Sequence, residues 1–301
     1  ANDITAAGFL DDSASFRSMM NSHGLFAYNK STNVDFTVTM RTNDGTGSGW
    51  VTRDFNDVDK LDAVSASKVA IDKALMSKEA RALEPGKYTV ILEPAASIGL
   101  LGNMFRNMSA RTADEGRSFL SKEGGGTKLG EKIVDERINL YSDPFNEEVP
   151  TATWNQGGEP LERTSWIEKG VVKNMFYGRY WAQKQGVDPL PRPQNAIMDG
   201  GTATLDEMIK GTKRGILVTR LWYIRTVDPQ TLLYTGLTRD GTFYIENGEI
   251  KYPVKNFRFN ESPIIMLNNL EELGQQSRIN GNLIPLIKVR DFTFSSLSDA
   301  V

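Results

Sequence analysis

The sequence predicts an α+β protein dominated by antiparallel sheet. The clearest sign is a series of strand-like segments, separated by Asp228-Pro229, Asp240-Gly241 and Asn247-Gly248, over residues 216–225, 232–237, 242–245 and 249–259. Asp-Gly and Asn-Gly tolerate the positive φ of a type I′ turn, so consecutive strands are expected to pair antiparallel. A second sign is the alternating, β-branched pattern near the start of the chain. Only a few segments show helical periodicity.

The first 83 residues contain three predicted strands and one helix. The strands cover residues 25–28 and 34–40 and a short segment that begins at Trp50. A helix is predicted over residues 58–77, with Asp57 as its N-cap. The apolar residues near helical spacing, which we expect to face the core, are Leu61, Val64, Val69, Ala70 and Leu75.

The middle of the chain alternates short elements with long loops. An apolar strand over residues 88–92 precedes a helix over residues 94–108, which begins at Pro94 because a missing N–H costs nothing at the first position. Its buried stripe is predicted to be Ala95, Ile98, Leu101, Phe105 and Met108. Glu168-Lys169-Gly170 indicates a hairpin turn, and residues 186–201, rich in Pro and Gly, indicate an irregular segment.

Two helix starts and a last strand complete the prediction. Thr204-Leu205-Asp206-Glu207 has the form of a capping box, and this short helix is expected to end near Gly211. Ser262-Pro263 predicts the start of a helix that ends at Gly274. The final strand is predicted over residues 284–294.

Composition excludes several classes of chemistry. The chain has 301 residues, a net charge of −3, one His and no Cys. The balanced charge gives no electrostatic reason to expect nucleic acid or an anionic membrane as a partner. Without Cys the chain cannot form disulfides, iron–sulfur clusters or a cysteine nucleophile, and His23 alone cannot supply an ordinary zinc site. No apolar run is long enough to span a bilayer, and no signal peptide is recognisable, so we expect a cytoplasmic protein.

Catalytic motifs are absent from the sequence. His23 lies at a predicted turn, and Ser65-Ala66-Ser67-Lys68 falls inside a predicted helix, where Lys68 is expected to be solvated. The adjacent acidic pairs are expected to diverge at the surface, because neighbouring side chains cannot clamp one metal ion. The glycine triplet 124–126 lacks the following Lys-Ser/Thr and the preceding strand of a phosphate-binding loop.

An aromatic and basic segment, Trp222-Tyr223-Ile224-Arg225, is the best candidate for binding. On a regular strand Trp222 and Ile224 would share the core face, while Tyr223 and Arg225 would share the other. An exposed face of this kind fits an extended peptide better than nucleic acid, given the charge balance. The predicted peptide-binding residues are Arg220, Tyr223 and Arg225.

The order of several short motifs resembles the TldD/PmbA family over essentially the whole chain. These motifs are residues 83–90, 116–120, Pro191-Arg192-Pro193-Gln194-Asn195, 215–220, 227–231, 244–250 and Pro253-Val254. The resemblance implies that residues 1–83 are the remainder of an N-terminal α/β domain and that residues 84–301 are the C-terminal β-rich domain. It also implies a chain that is shortened at its N-terminus relative to the family.

The resemblance further implies a subunit without a metal. TldD-type members of the family carry a His-Glu-x-x-x-His helix and a later Cys, and act as zinc peptidases. The helix at the corresponding place is residues 94–108, which contains no His. The chain therefore resembles the TldE/PmbA-type subunit, for which neither zinc nor another cofactor is expected.

The implied function is that of a non-catalytic subunit in a peptide-processing metallopeptidase complex. The expected partners are a TldD-type zinc peptidase subunit, or a second copy of the chain, and an unfolded or extended peptide. Residues 124–127, 186–201 and 220–225 are expected to line the shared chamber. A stand-alone homodimeric peptide- or protein-binding module and an enzyme with metal-free chemistry stay open as alternatives. The family's older label, modulator of DNA gyrase, does not imply DNA binding.

Overall fold

A computed structural model describes residues 3–298 of the chain and begins with a three-stranded antiparallel sheet. Its strands are β1 (Ile4–Met20), β2 (Phe26–Thr42) and β3 (Ser48–Phe55), in the order β1-β2-β3. A single 3₁₀ turn (Val58–Lys60) leads to helix α1 (Ala63–Met76), which packs on β2 and β3. The long strand β1 was not predicted, because its sequence mixes small, charged and apolar residues without a buried face.

Helix α1 uses a different face from the one predicted. Asp57 caps only the 3₁₀ turn, and Asp62 accepts the Ser65 N–H to cap α1 itself. The helix buries alanines at positions i, i+4 and i+8, while Val64 is 82% exposed. Of the predicted core-facing residues, Ala70 is buried as expected. The prediction is wrong for Val64, Val69 and Leu75, which are exposed, because the helix lies too close to β3 for large side chains. The alanines concerned are Ala66, Ala70 and Ala74.

The rest of the chain builds a thirteen-stranded sheet with short helices packed on it. Its strands are β4 (Gly86–Leu92), β5 (Leu140–Ser142), β6 (Thr164–Glu168), β7 (Val171–Val172), β8 (Ile197–Met198), β9 (Arg214–Val218), β10 (Leu221–Asp228), β11 (Leu233–Thr238), β12 (Thr242–Glu246), β13 (Glu249–Pro253), β14 (Phe257–Glu261), β15 (Leu270–Ile279) and β16 (Asn282–Leu297). Its helices are α2 (Pro94–Arg106), α3 (Ala110–Asp114), α4 (Arg179–Gln185), α5 (Leu205–Lys210) and α6 (Pro263–Asn268).

Strand β16 organises this sheet. The main path runs β13-β12-β9-β4-β16-β8-β5-β6-β7, and β16 also pairs with β14 and β15. All pairs are antiparallel except β4 with β9 and β16 with β8. The predicted fold class, α+β with a mostly antiparallel sheet, is confirmed.

Several turn predictions are confirmed. Asn247-Gly248 joins β12 to β13, and both residues have positive φ. Lys169-Gly170 joins β6 to β7 in the same way. The capping box at Thr204 forms with Glu207, and α5 ends at the predicted Gly211. Helix α2 begins at Pro94 as predicted.

Other predicted elements are wrong. Asp240-Gly241 does not close a hairpin, since β11 pairs with β10 and β14 whereas β12 pairs with β9 and β13. The strand predicted over residues 216–225 is interrupted between β9 and β10, and that over residues 249–259 between β13 and β14. Helix α6 ends at Asn268, and Gly274 lies inside β15.

Helix α2 is the central helix of the large layer. It buries Leu100, Leu101, Met104 and Phe105 completely or nearly so. Ala95 and Ile98, which were predicted to be buried, are only half-buried, because that side of α2 faces open cavities. No helix of residues 3–298 combines the length and apolar character that crossing a membrane requires.

Polar contacts join the two layers. Arg278 Nε of β15 lies 2.9 Å from Asp54 Oδ2 of β3. Ser48 Oγ donates to Asp240 Oδ1 at 2.6 Å. Lys73 of α1 forms an ion pair with Glu93, just before α2, at 2.7 Å. These contacts fix α1 and β3 against the end of the large sheet where α2 begins.

Candidate functional site

A cavity of about 340 Å³ lies beside helix α2. Its walls come from three distant parts of the sequence: α2, the segment before β8 and the turn between β15 and β16. Its lining residues are Ile98, Gly99, Gly102, Phe105, Arg106, Arg192, Pro193, Gln194, Asn195, Ala196, Asn280 and Asn282. We call it the α2 cavity.

Local structure explains how each wall is held. Asn195 is buried and bonds through both ends of its amide, to the Asp143 N–H and to the Asp143 and Val149 carbonyls. Asn280 and Gly281 both have positive φ, as a two-residue type I′ turn between β15 and β16 requires. Asn282 Oδ1 accepts the Ala196 N–H at 2.8 Å, which joins that turn to the segment before β8.

The charged groups of the α2 cavity are two guanidinium groups. Arg106 donates to Asn103 Oδ1 at 2.6 Å, which holds it against α2. Within residues 3–298, neither Arg106 nor Arg192 has a carboxylate in ion-pair contact. Burial lowers the pKa of Arg192, and the nearby charge of Arg106 lowers it further. The cavity is therefore cationic.

This residue set does not suit the zinc ion that the family resemblance implies for TldD-type subunits. Zinc sites use thiolate, imidazole or carboxylate ligands. The α2 cavity is lined by glycines, amides, apolar groups and two arginines, and its positive charge would repel a divalent cation. Across residues 3–298, no cluster of three His, Cys, Asp or Glu side chains is placed to hold a metal ion.

A second and larger cavity, of about 570 Å³, lies at the start of α2 between β3 and β15. Trp50, Arg53, Glu93 and Arg278 are among its lining residues. Burial lowers the pKa of Arg53, and the charge of Glu93 partly opposes that effect. The larger cavity is lined by residues 94–95 and 278–279. The residues that follow them in the chain, within 98–106 and 280–282, line the α2 cavity, so the two cavities are neighbours along α2.

Arg220, one of the three predicted peptide-binding residues, is occupied by the contact between the layers. Its guanidinium lies 2.5 Å from Asp240 Oδ2 and 4.0 Å from the centre of the Trp50 ring. Burial lowers the pKa of Arg220, and Asp240 opposes that effect. Its side chain is only 21% exposed. The arrangement gives Arg220 a structural role in joining β3 to the large sheet.

Tyr223 and Arg225, the other two predicted binding residues, lie together on the exposed side of β10. Arg225 stacks on Tyr223 at 4.1 Å, and Arg239 stacks on Trp222 at 4.3 Å. Tyr223 has a φ of 54°, and the pairing with β11 shifts between Trp222 and Arg225. The bulge exposes Trp222, so the predicted alternation of a core face and a solvent face is wrong here.

Strand β10 lies next to α2. A Cβ built on Gly99 would come within 2.6 Å of Ile224 Cδ1, so the two elements pack with almost no space between them. The stacked side chains of Tyr223 and Arg225 on β10 therefore lie beside α2. The assignment of Tyr223 and Arg225 to peptide binding stays a prediction.

Sequence reasoning missed Arg106 and Arg192 as site residues. Arg192 belongs to one of the motifs that carry the family resemblance, but the motif gave no chemical role for it. Of the loops expected to line a chamber, the segment 186–201 contributes residues 192–196 to the α2 cavity. His23 lies at an exposed turn, and Ser65 bonds to Asp62 at the start of α1.

Comparison with known proteins agrees with this architecture. Residues 85–296 match the PmbA/TldA metallopeptidase C-terminal domain, and residues 2–78 match the central domain of the same family. A metalloprotease of Methanothermobacter thermautotrophicus is 23% identical over 296 residues, which cover 89% of this chain and 62% of that protein. The chain thus spans less than two thirds of the length of this curated relative.

Two solved structures share the fold. A candidate modulator of DNA gyrase from Bacteroides thetaiotaomicron superposes with a TM-score of 0.85 and 26% identity, over 99% of this chain and 68% of that one. TldE from Thermococcus kodakarensis superposes with a TM-score of 0.83 and 21% identity, over 96% and 68%. The order of elements, the large antiparallel sheet and both matched domains lead to one conclusion: the chain belongs to the PmbA/TldD metallopeptidase family.

Proposed function

We propose that this chain is a non-catalytic, TldE/PmbA-like subunit that helps to form the peptide chamber of a metallopeptidase complex. The observation that carries the proposal is the composition of the α2 cavity, whose lining contains guanidinium and amide groups and no carboxylate, imidazole or thiolate. A catalytic zinc ion and its general base would then come from a TldD-type partner. The substrate in this proposal is an unfolded or extended peptide, processed in the cytoplasm by degradation or maturation.

The surface of the hairpin formed by β1 and β2 supports a role in assembly. At its far end, Phe16, Met20 and Phe26 are 75%, 73% and 66% exposed. The strand register places Phe16 opposite Lys30 and Met20 opposite Phe26, so these side chains share one face. We call this surface the hairpin face. A contiguous exposed apolar face of this kind is typical of a protein interface.

At the far end of the hairpin, the opposite face contacts the large layer. Arg17 lies over the Trp154 ring at 5.6 Å, and Met19 and Leu25 pack against Gly158. The large layer therefore supports the hairpin from one side and leaves the hairpin face for another chain. Self-association through the same face would correspond to the alternative function, a stand-alone homodimeric binding module.

Reconstitution with a TldD-type subunit tests the proposal. Hydrolysis of an unstructured peptide, followed by mass spectrometry, is expected from the mixture and not from this chain alone. The matched control is a partner whose motif Glu is replaced by Gln, which should abolish hydrolysis while leaving the complex intact. Chelator-resistant hydrolysis by the isolated chain would contradict the proposal, and a stable homodimer that binds peptide but ignores the partner would favour the alternative.

A further inference from the structure

The α2 cavity presents two positive groups without a negative counterpart. Arg106 and Arg192 come from a helix and from a loop, yet both line the same 340 Å³ space. Both arginines are exposed at this cavity, and neighbouring like charges disfavour each other, so a bound anion would relieve their repulsion.

The amide groups around the cavity are mostly occupied. Gln194 donates to the Trp154 carbonyl at 3.1 Å, and Asn282 donates to the Ile279 and Asn280 carbonyls. Asn195 makes three bonds to backbone groups. The donors left for a ligand are therefore chiefly the two guanidinium groups, and donors of this type match an anion that has two coplanar oxygens.

We propose that the α2 cavity binds a carboxylate group of a peptide, held between the guanidinium groups of Arg106 and Arg192. That the carboxylate belongs to a peptide rests on the proposed function, whereas its anionic character rests on the cavity itself. A space of about 340 Å³ lies at the small end of ligand pockets, so it accommodates a terminal or acidic residue and not a long segment.

The surroundings of the cavity agree with a peptide that continues beyond it. The stacked side chains of Tyr223 and Arg225 on β10 lie beside α2, which forms one wall of the α2 cavity. The larger cavity lies next to the α2 cavity, at the start of the same helix. The residue that carries the carboxylate would be anchored at Arg106 and Arg192, and the rest of the peptide would extend over the exposed surface of α2. The subunit would in this way set the register of the peptide in the chamber.

Three labelled peptides of one otherwise uncharged, unstructured sequence test this proposal by fluorescence anisotropy. The first has a free carboxyl terminus, the second is amidated, and the third is amidated and contains one Asp. The wild-type chain should bind the first peptide at least about tenfold more tightly than the second, because a hydrogen bond between a guanidinium group and a carboxylate is stronger than one to a neutral amide. Tighter binding of the third peptide than the second would identify a side-chain carboxylate as an acceptable source.

Variants separate the cavity from general charge effects. Arg192→Gln and Arg106→Gln should each reduce the preference for the carboxylate to less than about twofold, and Arg192→Lys should give an intermediate preference. Arg290→Gln, at an arginine whose side chain is 52% exposed on β16, is the matched control and should keep the full preference. Circular dichroism melting confirms that each variant is folded.

Two results would overturn the inference: equal binding of all three peptides, or an unchanged preference in folded Arg192→Gln and Arg106→Gln. These measurements use the chain without a partner. If the wild-type chain shows no carboxylate preference but does support partner-dependent hydrolysis, only this inference is refuted. A clear preference without any partner-dependent hydrolysis would refute only the proposed function.

Discussion

Glu261, on β14, is a buried carboxyl group that forms no ion pair within residues 3–298, although the charge of Lys87 acts on it. It is 3% exposed, and its oxygens accept the N–H groups of Ser262 at 2.9 Å and Thr293 at 3.1 Å. Burial raises the pKa of Glu261 to about 6, and the two N–H groups limit the rise. The folded state therefore binds this proton more tightly than the unfolded chain, in which the pKa is ordinary.

Because the pKa is higher in the folded state, the stabilising contribution of Glu261 is complete below about pH 4.5 and is lost as the pH rises through 6. Glu261→Gln removes this titration. We expect the unfolding free energy of the variant, relative to wild type, to rise by about 2 kcal/mol between pH 4 and pH 7. Urea denaturation across this range measures the difference, and a difference that does not change with pH would contradict the assignment.

The ion pair of Asp54 and Arg278 joins β3 to β15 and is almost completely buried. Their side chains are 3% and 10% exposed. Asp54 Oδ2 also accepts the Gly281 N–H at 2.8 Å, whereas Asp54 Oδ1 is buried without a partner in the described part of the chain. Removal of the arginine would leave a buried carboxylate with a single backbone donor.

Arg278→Ala is expected to destabilise the chain by about 3–5 kcal/mol, because an uncompensated buried charge is costly. Arg290→Ala is the control, since its contact with Asp291 at 3.9 Å is exposed and should contribute less than about 1 kcal/mol. Urea unfolding at pH 7 compares the two. Equal effects of the two substitutions would show that the Asp54 contact does not hold the layers together.

At the scale of the element, close packing of α1 on β3 depends on glycine. A Cβ on Gly49 would lie 2.1 Å from the Ala70 carbonyl oxygen and 2.5 Å from the Ala74 nitrogen. A Cβ on Gly47 would lie 2.2 Å from the Ala74 carbonyl oxygen. The backbones of the helix and the strand are therefore almost in contact, which is why alanines and not larger residues fill this face.

Gly49→Ala should force α1 away from β3 and destabilise the chain by about 1–3 kcal/mol, as overpacking usually does. Val64→Ala, on the exposed side of α1, should change stability by less than about 0.5 kcal/mol. Thermal unfolding of both variants checks the pair. If Gly49→Ala leaves the stability unchanged, α1 can move away from β3 without loss of folding free energy.

Local signals predicted several turns and caps but not the partners of the strands. Asn247-Gly248 and the Thr204 capping box depend on neighbouring residues only, so the sequence was sufficient. Asn280-Gly281 carries the same hairpin signal, which the prediction did not use, and the helix predicted to end at Gly274 overlaps only the first half of β15. Asp240 also has positive φ, yet its side chain bonds to Ser48 and Arg220 from other elements, and no local pattern reveals that.

In the molecule as a whole, the hairpin face is the exposed apolar surface on which we place the interface with another subunit. Its exposed residues belong to strands 17 residues long, and the outer edge of β1 pairs with no other strand of residues 3–298. Apolar side chains in water on this scale are stabilised by burial against another chain. The proposed subunit interface is therefore centred on Phe16 and Phe26.

Phe16→Asp combined with Phe26→Asp should weaken association with the TldD-type partner by at least about 2 kcal/mol, as expected for central apolar residues of an interface. Val64→Asp, an exposed apolar position on α1, is the matched control and should leave association intact. Analytical ultracentrifugation of the mixtures gives the affinities. Full association of the double variant would place the interface elsewhere.

The candidate site could be predicted only in part. Helical periodicity located α2, and a family motif contains Arg192, because both signals are short and local in sequence. The meeting of Arg106 with Arg192 and of both with the Asn280 turn depends on how β8 and β16 pair, which is a long-range property of the sheet. For the same reason the occupation of Arg220 by Asp240 and Trp50 could not be read from its own strand.

The lining of the α2 cavity, with two arginines and no carboxylate, imidazole or thiolate, predicts that it binds an anion and not zinc. The zinc content of the purified chain, measured by elemental mass spectrometry after equilibration with excess zinc and removal of free metal, tests this directly. We expect far less than one zinc per chain and no chelator-sensitive peptide hydrolysis. One tightly held zinc per chain, together with chelator-sensitive hydrolysis by the isolated chain, would show instead that the chain carries its own catalytic metal site.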